Sequence, residues 1–292
     1  MLRPFSYYAP RTVAEASELL LVHAPHAHLL AGGTQLLVAL ERRRLTAKAV
    51  VDLRAIAALR DVTFVDGEGL RLGALVTLST LQESVIVRRR YPALVHAAHF
   101  VATPQVRRLA TVGGNLCSGL PSADLFVTLL ALEAVVETWG PGGTRAFPLA
   151  ALLTSWGALA LQPGELVVAI RVPPPRGIAG YRRFMVRSAA DVTLANVAVS
   201  LELVAQSSHT QAPLIHRARV AVGANGPRPA RLARAESFLN GRTLNRKTIA
   251  RAGALIMEDS FPPDDERASR RYRRVMLGAL CTEILTELGA AQ

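Results

Sequence analysis

Ala31-Gly32-Gly33-Thr34-Gln35-Leu36 has apolar sequence on both sides, and so does a second segment, Thr111-Val112-Gly113-Gly114-Asn115. Each reads as a tight turn between packed elements. Paired glycines let a backbone turn its N–H groups inward with no Cβ in the way. Such a nest of N–H groups attracts an anion, and a helix that follows it adds the positive end of its dipole. One turn of this kind suits a monophosphate. Two in one domain suit the extended pyrophosphate of a dinucleotide.

Working outward from the first turn, Thr12-Val13-Ala14-Glu15 has the form of a capping box, with Val13, Ala16 and Leu20 at helical spacing behind it. A strand over 28–31, a helix over 34–40 and a buried strand over 49–53 complete a β-turn-α-β unit that ends near Leu59. The region after it is mixed. It has a strand at 70–74, helices over 78–86 and 93–101, the second glycine turn, and an apolar stretch through Val136 that reads as a helix or a strand pair. Trp139-Gly140-Pro141-Gly142-Gly143 is a hairpin turn, and the strand over 165–172 stops at the stiff Pro173-Pro174-Pro175. Beyond that linker, 181–186, 196–203 and 216–222 alternate as antiparallel strands do. The alternation puts Ile215, Arg217, Arg219 and Ala221 on one face and Ala218, Val220 and Val222 on the other. Helices over 230–239, 245–257 and 267–288 close the chain. The fold class is α+β, in three units: 1–59, 60–176 and 177–292, the last with a three-stranded antiparallel sheet and helices.

At 292 residues, half of them hydrophobic, the chain can bury two or three cores. No apolar run reaches the ~18–20 residues of a membrane span, and the start has no signal-peptide core, so a cytoplasmic protein is expected. The net charge is +12, and Lys48 and Lys247 are the only lysines. The arginine clusters at 42–44, 88–90 and 270–274 favour docking of an acidic partner over nucleic acid, because aromatics that could stack bases make up only 5% of the chain. The two cysteines, Cys117 and Cys281, form no CxxC and cannot supply the four thiolates an iron–sulfur cluster usually takes. Both read as small buried hydrophobes.

Other motifs fall away. Gly67, Gly69 and Gly73 miss the GxGxxG spacing by one residue and fit a hairpin better; no GxxxxGK[ST] occurs. His23, His26 and His28 straddle a proline with no acidic or thiol ligand beside them, and the His96/His99 pair is of a kind common by chance. The second turn has a richer context. Ala102-Thr103-Pro104-Gln105-Val106-Arg107 precedes it and Pro121-Ser122-Ala123-Asp124-Leu125 follows it. Glycine N–H groups, a hydroxyl and an amide suit phosphates, and the carboxylate of Asp124 suits a ribose or ribityl diol.

At these residues the chain resembles the flavin-binding medium subunit of molybdenum hydroxylases, the xanthine dehydrogenase and aerobic carbon monoxide dehydrogenase family. The AGGT of Ala31–Thr34, the PQVR and TVGGN segments, the SAD ending at Asp124, GELVVAIRVP from Gly164 and the Arg187…Asp191 stretch occur in order and span nearly the whole chain. The resemblance implies a non-covalent FAD held between the first two units, in the two-subdomain fold of the vanillyl-alcohol-oxidase type. It places Ala31, Gly32, Gly33, Thr34, Gln35 and Leu36, with Thr111, Val112, Gly113, Gly114 and Asn115, around the pyrophosphate. It sets Asp124 on sugar or ribityl hydroxyls, Val101 and Ala102 near flavin or adenine, Leu166 and Val167 on the adenine side, and Arg183 close to the isoalloxazine. Val192 stands where relatives often carry an aromatic. The implied function is an FAD-binding electron-transfer subunit of an oxidoreductase. It would take electrons from [2Fe–2S] clusters in a small subunit and pass them to an external acceptor. The molybdenum cofactor would sit in a large subunit of a heterotrimer or its dimer. The alternatives are a stand-alone FAD oxidoreductase of this fold and a flavin-free scaffold. No side-chain acid, base or nucleophile is assigned, and no metal ligand.

Overall fold

A computed structural model describes residues 2–154, 158–187, 191–205 and 212–290. Its first unit contains β1 (Ser6–Tyr8), α1 (Val13–Val22), β2 (Ala27–Leu30), α2 (Leu36–Glu41) and β3 (Ala49–Asp52). The sheet order is β1-β3-β2, with both pairs parallel. All four residues of β3 are buried, as the apolar Ala49-Val50-Val51 run requires of a central parallel strand. The capping box forms by half. Thr12 Oγ1 accepts the Glu15 N–H at 3.2 Å, while the Glu15 carboxylate takes the N–H of Arg11 instead of Thr12.

The second unit runs through β4 (Val62–Val65), β5 (Gly69–Gly73), α3 (Leu78–Glu83), α4 (Val85–Arg90), α5 (Pro92–His99), α6 (Pro104–Arg107), α7 (Val112–Cys117), α8 (Asp124–Ala131), β6 (Val135–Gly140), β7 (Gly143–Pro148) and β8 (Leu166–Val172). Its five strands are antiparallel in the order β4-β5-β8-β6-β7. Gly67 and Gly69 close the β4–β5 hairpin and Gly140 to Gly143 the β6–β7 hairpin, as their turn chemistry predicts. The helix expected over 78–86 is two helices, because Ser84 leaves helical geometry and caps α4 with its side chain. Every residue of α8 is buried, so this helix is enclosed on all sides.

The third unit holds β9 (Ile178–Phe184), β10 (Ala195–Val204), β11 (Leu214–Gly223), β12 (Ala230–Arg231), α9 (Ala233–Leu239), α10 (Arg246–Asp259) and α11 (Arg270–Ala290). Its antiparallel sheet has four strands, not three, in the order β12-β11-β10-β9. The fourth strand is the Ala230–Arg231 pair that the helical pattern had claimed for the following helix. Two residues carry no periodicity by which a strand could be read. A second correction concerns β11. A register shift between Glu202 and Leu203 pairs Arg217 with Glu202 but Ile215 with Leu203, leaving His216 as an extra residue. The bulge moves Ile215 onto the face of Ala218, Val220 and Val222, where it packs against the C-terminal helices. One face of this sheet therefore covers α9, α10 and α11, and Ala198, Ala221 and Tyr181 on the other join the core around α8. Among the described residues no helix is long and apolar enough to cross a membrane.

Candidate functional site

The first glycine turn joins β2 to α2. Gly33 adopts φ +72°, which a glycine allows freely, and Gln35 caps α2 without a side-chain bond. Among the described residues, the N–H groups of Gly32, Gly33, Thr34, Gln35 and Leu36 have no backbone acceptor. Five donors in a row are thus available to a ligand, the property an anion nest needs. The helix behind them is only six residues long and adds little dipole.

The second turn is built differently, and here the expectation of a second nest is corrected. Residues 112–117 form α7, and Thr111 is its N-cap. The N–H of Val112 donates to Val76 O, Gly113 to Ala74 O and Asn115 to Thr111 O, each at 2.9 Å. The Gly114 N–H donates to Thr111 Oγ1 at 3.1 Å. All four donors are occupied within the chain. What this segment presents is the bare, exposed backbone of Gly114 and the side chain of Asn115, whose Oδ1 is buried with no donor. A buried carbonyl oxygen without a partner is costly unless something absent from the chain supplies the hydrogen bond.

The two turns touch. A methyl group at Gly32 would fall 2.0 Å from the Leu109 carbonyl oxygen, and one at Gly114 would lie 3.9 Å from the Ala31 Cβ. Ala31 also packs on the cluster that joins the first unit to the second, with Leu75, Leu166 and Trp139. Leu166 is fully buried in that cluster and Val167 nearly so in the core of the second unit. Their side chains offer a ligand no exposed face.

Asp124 opens α8 and is buried. Its carboxylate accepts from the Tyr181 hydroxyl, from Arg183 Nη1 at 3.1 Å, from Thr193 Oγ1 at 3.3 Å and from Asn196 Nδ2 at 3.5 Å. These donors lie on β9, β10 and the segment before β10 and occupy the sites that the carboxylate was expected to offer a sugar or ribityl diol. Burial pushes the Asp124 carboxyl above its ordinary range, against the pull of Arg183, Tyr181 and Thr193. It also pushes the Tyr181 phenol far up, with the Asp124 charge adding to the effect.

The Arg183 side chain is 4% exposed. It bridges Asp124 and Thr193 through Nη1, reaches Met185 Sδ through Nη2, and lies 4.9 Å over the Phe100 ring. Its Nε is buried without an acceptor. Asp124 offsets the positive charge of Arg183. Val101 and Ala102 follow Phe100 directly, and Ala102 is held at φ +47°. Arg107 donates to both their carbonyls. The structure thus brings Phe100, Val101, Ala102, Asp124 and Arg183 together and sets the two glycine turns side by side. Val192 is 45% exposed next to Asp191, whose carboxylate accepts the Arg187 and Val192 N–H groups; residues 188–190 of that stretch lie outside the described ones.

Phe100, Tyr181, Thr193 and Asn196 were not singled out by sequence. For Tyr181 a signal existed, since it stands two residues from Arg183 in an alternating strand and so faces the same way. His96 packs among Phe100 and Tyr181, and no metal-holding group of three exists among the described residues. Both cysteines are free thiols that burial pushes up to about 12.

The residues present fit an FAD. Free N–H groups suit its phosphates, Asn115 Oδ1 can accept from a hydroxyl or ring N–H, and Arg183 Nε can donate to a ring or ribityl acceptor.

Comparisons with known proteins agree along the whole chain. A family model described as the FAD binding domain in molybdopterin dehydrogenase matches residues 3–175. A second, the CO dehydrogenase flavoprotein C-terminal domain, matches residues 176–288. The xanthine dehydrogenase FAD-binding subunit of Escherichia coli O157:H7 is 32% identical over 289 residues, 98% of this chain and 96% of that one. The carbon monoxide dehydrogenase medium chain of Hydrogenophaga pseudoflava is 29% identical over 96% of both. A solved carbon monoxide dehydrogenase from the same organism superposes with a TM-score of 0.92, at 28% identity over 99% of each chain. Quinoline 2-oxidoreductase from Pseudomonas putida 86 gives 0.90, at 26% identity, over 100% of this chain and 99% of that one.

Proposed function

The chain belongs to the family of FAD-binding medium subunits of molybdenum hydroxylases, and from that premise we propose how its residues hold and serve the flavin. It is a flavoprotein subunit of an oxidoreductase, and its molybdenum and iron–sulfur partners are other chains. FAD supplies the ability to accept electrons singly and release them in pairs; the protein binds it, orients it and sets its surroundings.

In this reading the free N–H groups of Gly32 to Leu36 hold the pyrophosphate. Gly114, with no side chain, lets it approach, and Thr111, Val112 and Gly113 fix that surface in place. Asn115 Oδ1 accepts from a ligand hydroxyl. Val101 and Ala102 border the ring system with Arg183, which donates through Nε. Asp124 acts first on Arg183 and Tyr181. A ligand hydroxyl reaches it only by displacing the long bonds from Thr193 or Asn196. Leu166 and Val167 support the adenine side from the core. The units 1–59 and 60–176 form the two-subdomain flavin-binding part, and 177–292 lies against it. The subunit works in the cytoplasm, within a heterotrimer or its dimer, receiving electrons from [2Fe–2S] clusters and passing them to an external acceptor.

The observation that carries this reading is the meeting of two glycine turns, one with five free N–H donors and the other with a bare glycine face. The test is the visible spectrum of the purified protein, followed by chromatography of what heat releases. Flavin bands with one free FAD per chain are expected. A colourless protein that takes up no FAD would overturn the reading.

A further inference from the structure

We infer that Arg107 is a positioning residue that, by drawing the Val101 and Ala102 carbonyls onto its guanidinium, turns the Ala102 and Thr103 N–H groups outward as a donor pair for an acceptor atom of the bound FAD. This rests on the FAD reading above and extends it to a residue that no part of that reading uses.

Arg107 ends the four-residue α6 and is 8% exposed. Its Nη1 donates to Val101 O at 3.1 Å and Ala102 O at 3.2 Å. Among the described residues no carboxylate lies within ion-pair distance of it; the other well-buried arginines, Arg183 and Arg273, each have one. A buried guanidinium without a counter-charge is costly, so its hydrogen bonds must do something a neutral side chain could not. What they do is hold Ala102 in the left-handed region, which a residue with a Cβ avoids.

The consequence follows from peptide geometry. In a trans peptide the C=O and the N–H point opposite ways. Both carbonyls converge on one nitrogen of Arg107, so the N–H groups of Ala102 and Thr103 lie on the far side. Neither has a backbone acceptor among the described residues, and Ala102 is exposed. The segment is placed for a ligand at the candidate site. At one end Phe100 lies under Arg183, and at the other the Leu109 carbonyl packs on Gly32.

The test measures FAD dissociation and thermal stability for the wild type, Arg107→Met, Ala102→Gly and the double variant. Arg107→Met keeps the apolar length and removes the donors. It should weaken FAD binding about tenfold, the equilibrium cost of a left-handed residue that nothing holds. Ala102→Gly takes this conformation freely but removes a methyl group beside the ring system, so it sets the reference affinity for the double variant. Added to Arg107→Met, it should recover most of the lost affinity, a rescue that a purely packing role for Arg107 would not give. Unchanged affinity in Arg107→Met, or a double variant as weak as the single, would overturn the inference. Should Arg107→Met not fold, Arg107→Gln, neutral and too short to reach both carbonyls, takes its place with the same two outcomes. A wild-type chain that binds no FAD would sink both the flavin reading and this one; loss confined to the rescue sinks this one alone.

Discussion

Gly32 and Leu109 are in backbone contact: the Cβ that Gly32 lacks would lie 2.0 Å from the Leu109 carbonyl oxygen. The first turn is thus pressed on the backbone that leads into the second, and it can keep its N–H groups free only while that backbone stays where it is. Gly32→Ala forces one backbone off the other. Overpacking of this kind costs about 1–3 kcal/mol. The variant should lose FAD while the third unit stays folded. Gln35→Ala, on an exposed side chain that makes no cap bond, should retain FAD. Loss of flavin in Gln35→Ala and not in Gly32→Ala would transfer the role from backbone to side chain.

Gly114→Leu puts a side chain on the exposed face across from Ala31, with its Cβ 2.9 Å from Thr111 Oγ1, the hydroxyl that caps the helix. The fold should persist at a cost of about 1 kcal/mol, that of a lost N-cap, and FAD should be absent. Full occupancy in this variant would remove Gly114 from the binding surface.

The resemblance sets Asp124 on ligand hydroxyls, and its carboxylate is held by Tyr181, Arg183, Thr193 and Asn196. Taking the carboxylate from Arg183 leaves a buried, unpaired guanidinium, a change worth about 3–5 kcal/mol. Asp124→Ala should therefore melt far below the wild type even as apoprotein. Tyr181→Phe, which removes one hydrogen bond to a charged group, should cost about 1.5–3 kcal/mol. Equal apoprotein stability in Asp124→Ala and wild type would return Asp124 to a role in ligand binding alone.

Much of this site was legible and much was not, for reasons that can be named. The glycines at 32–33 and 113–114 and the hairpins at Gly67–Gly69 and Gly140–Gly143 are local chemistry, readable wherever they occur. The acceptors that occupy the second turn's N–H groups belong to Ala74 and Val76, and the donors around Asp124 come from the third unit; sequence does not say which distant groups will meet. β1 and β12 are three and two residues long, below the length at which alternation shows. Ile215 changed faces because one extra residue in β11 reverses the parity of everything before it.

Glu165 is one of the carboxylates that contribute to acid stability. Burial works to raise its carboxyl, but the Gln162 N–H, Thr138 and Arg145 outweigh burial and hold it below the ordinary 4.5. A carboxylate with a lowered folded value contributes stability above its unfolded value and loses it as pH falls through the folded one. The protein should therefore lose stability progressively as pH drops below about 4.5. Glu165→Gln should be less stable at neutral pH, with a shallower decline on acidification. An identical pH slope in the variant would show that another carboxylate governs the acid limb.

Glu133 ties the second unit to the third through charge. Just past the end of α8 it adopts φ +55° and accepts from Arg217 at 2.9 Å and Arg219 at 2.6 Å on β11, and from Arg231 at 3.4 Å on β12. Three guanidiniums around one carboxylate repel one another once it is gone, and Glu202 and Glu236 offset only part of that charge. Glu133→Gln should lower the melting temperature most at low ionic strength. The gap from wild type should narrow as salt rises from about 0.01 M to 1 M and the screening length falls from about 30 Å to about 3 Å. A gap independent of salt would assign the loss to the altered hydrogen bonds at this left-handed residue and not to the released arginine repulsion.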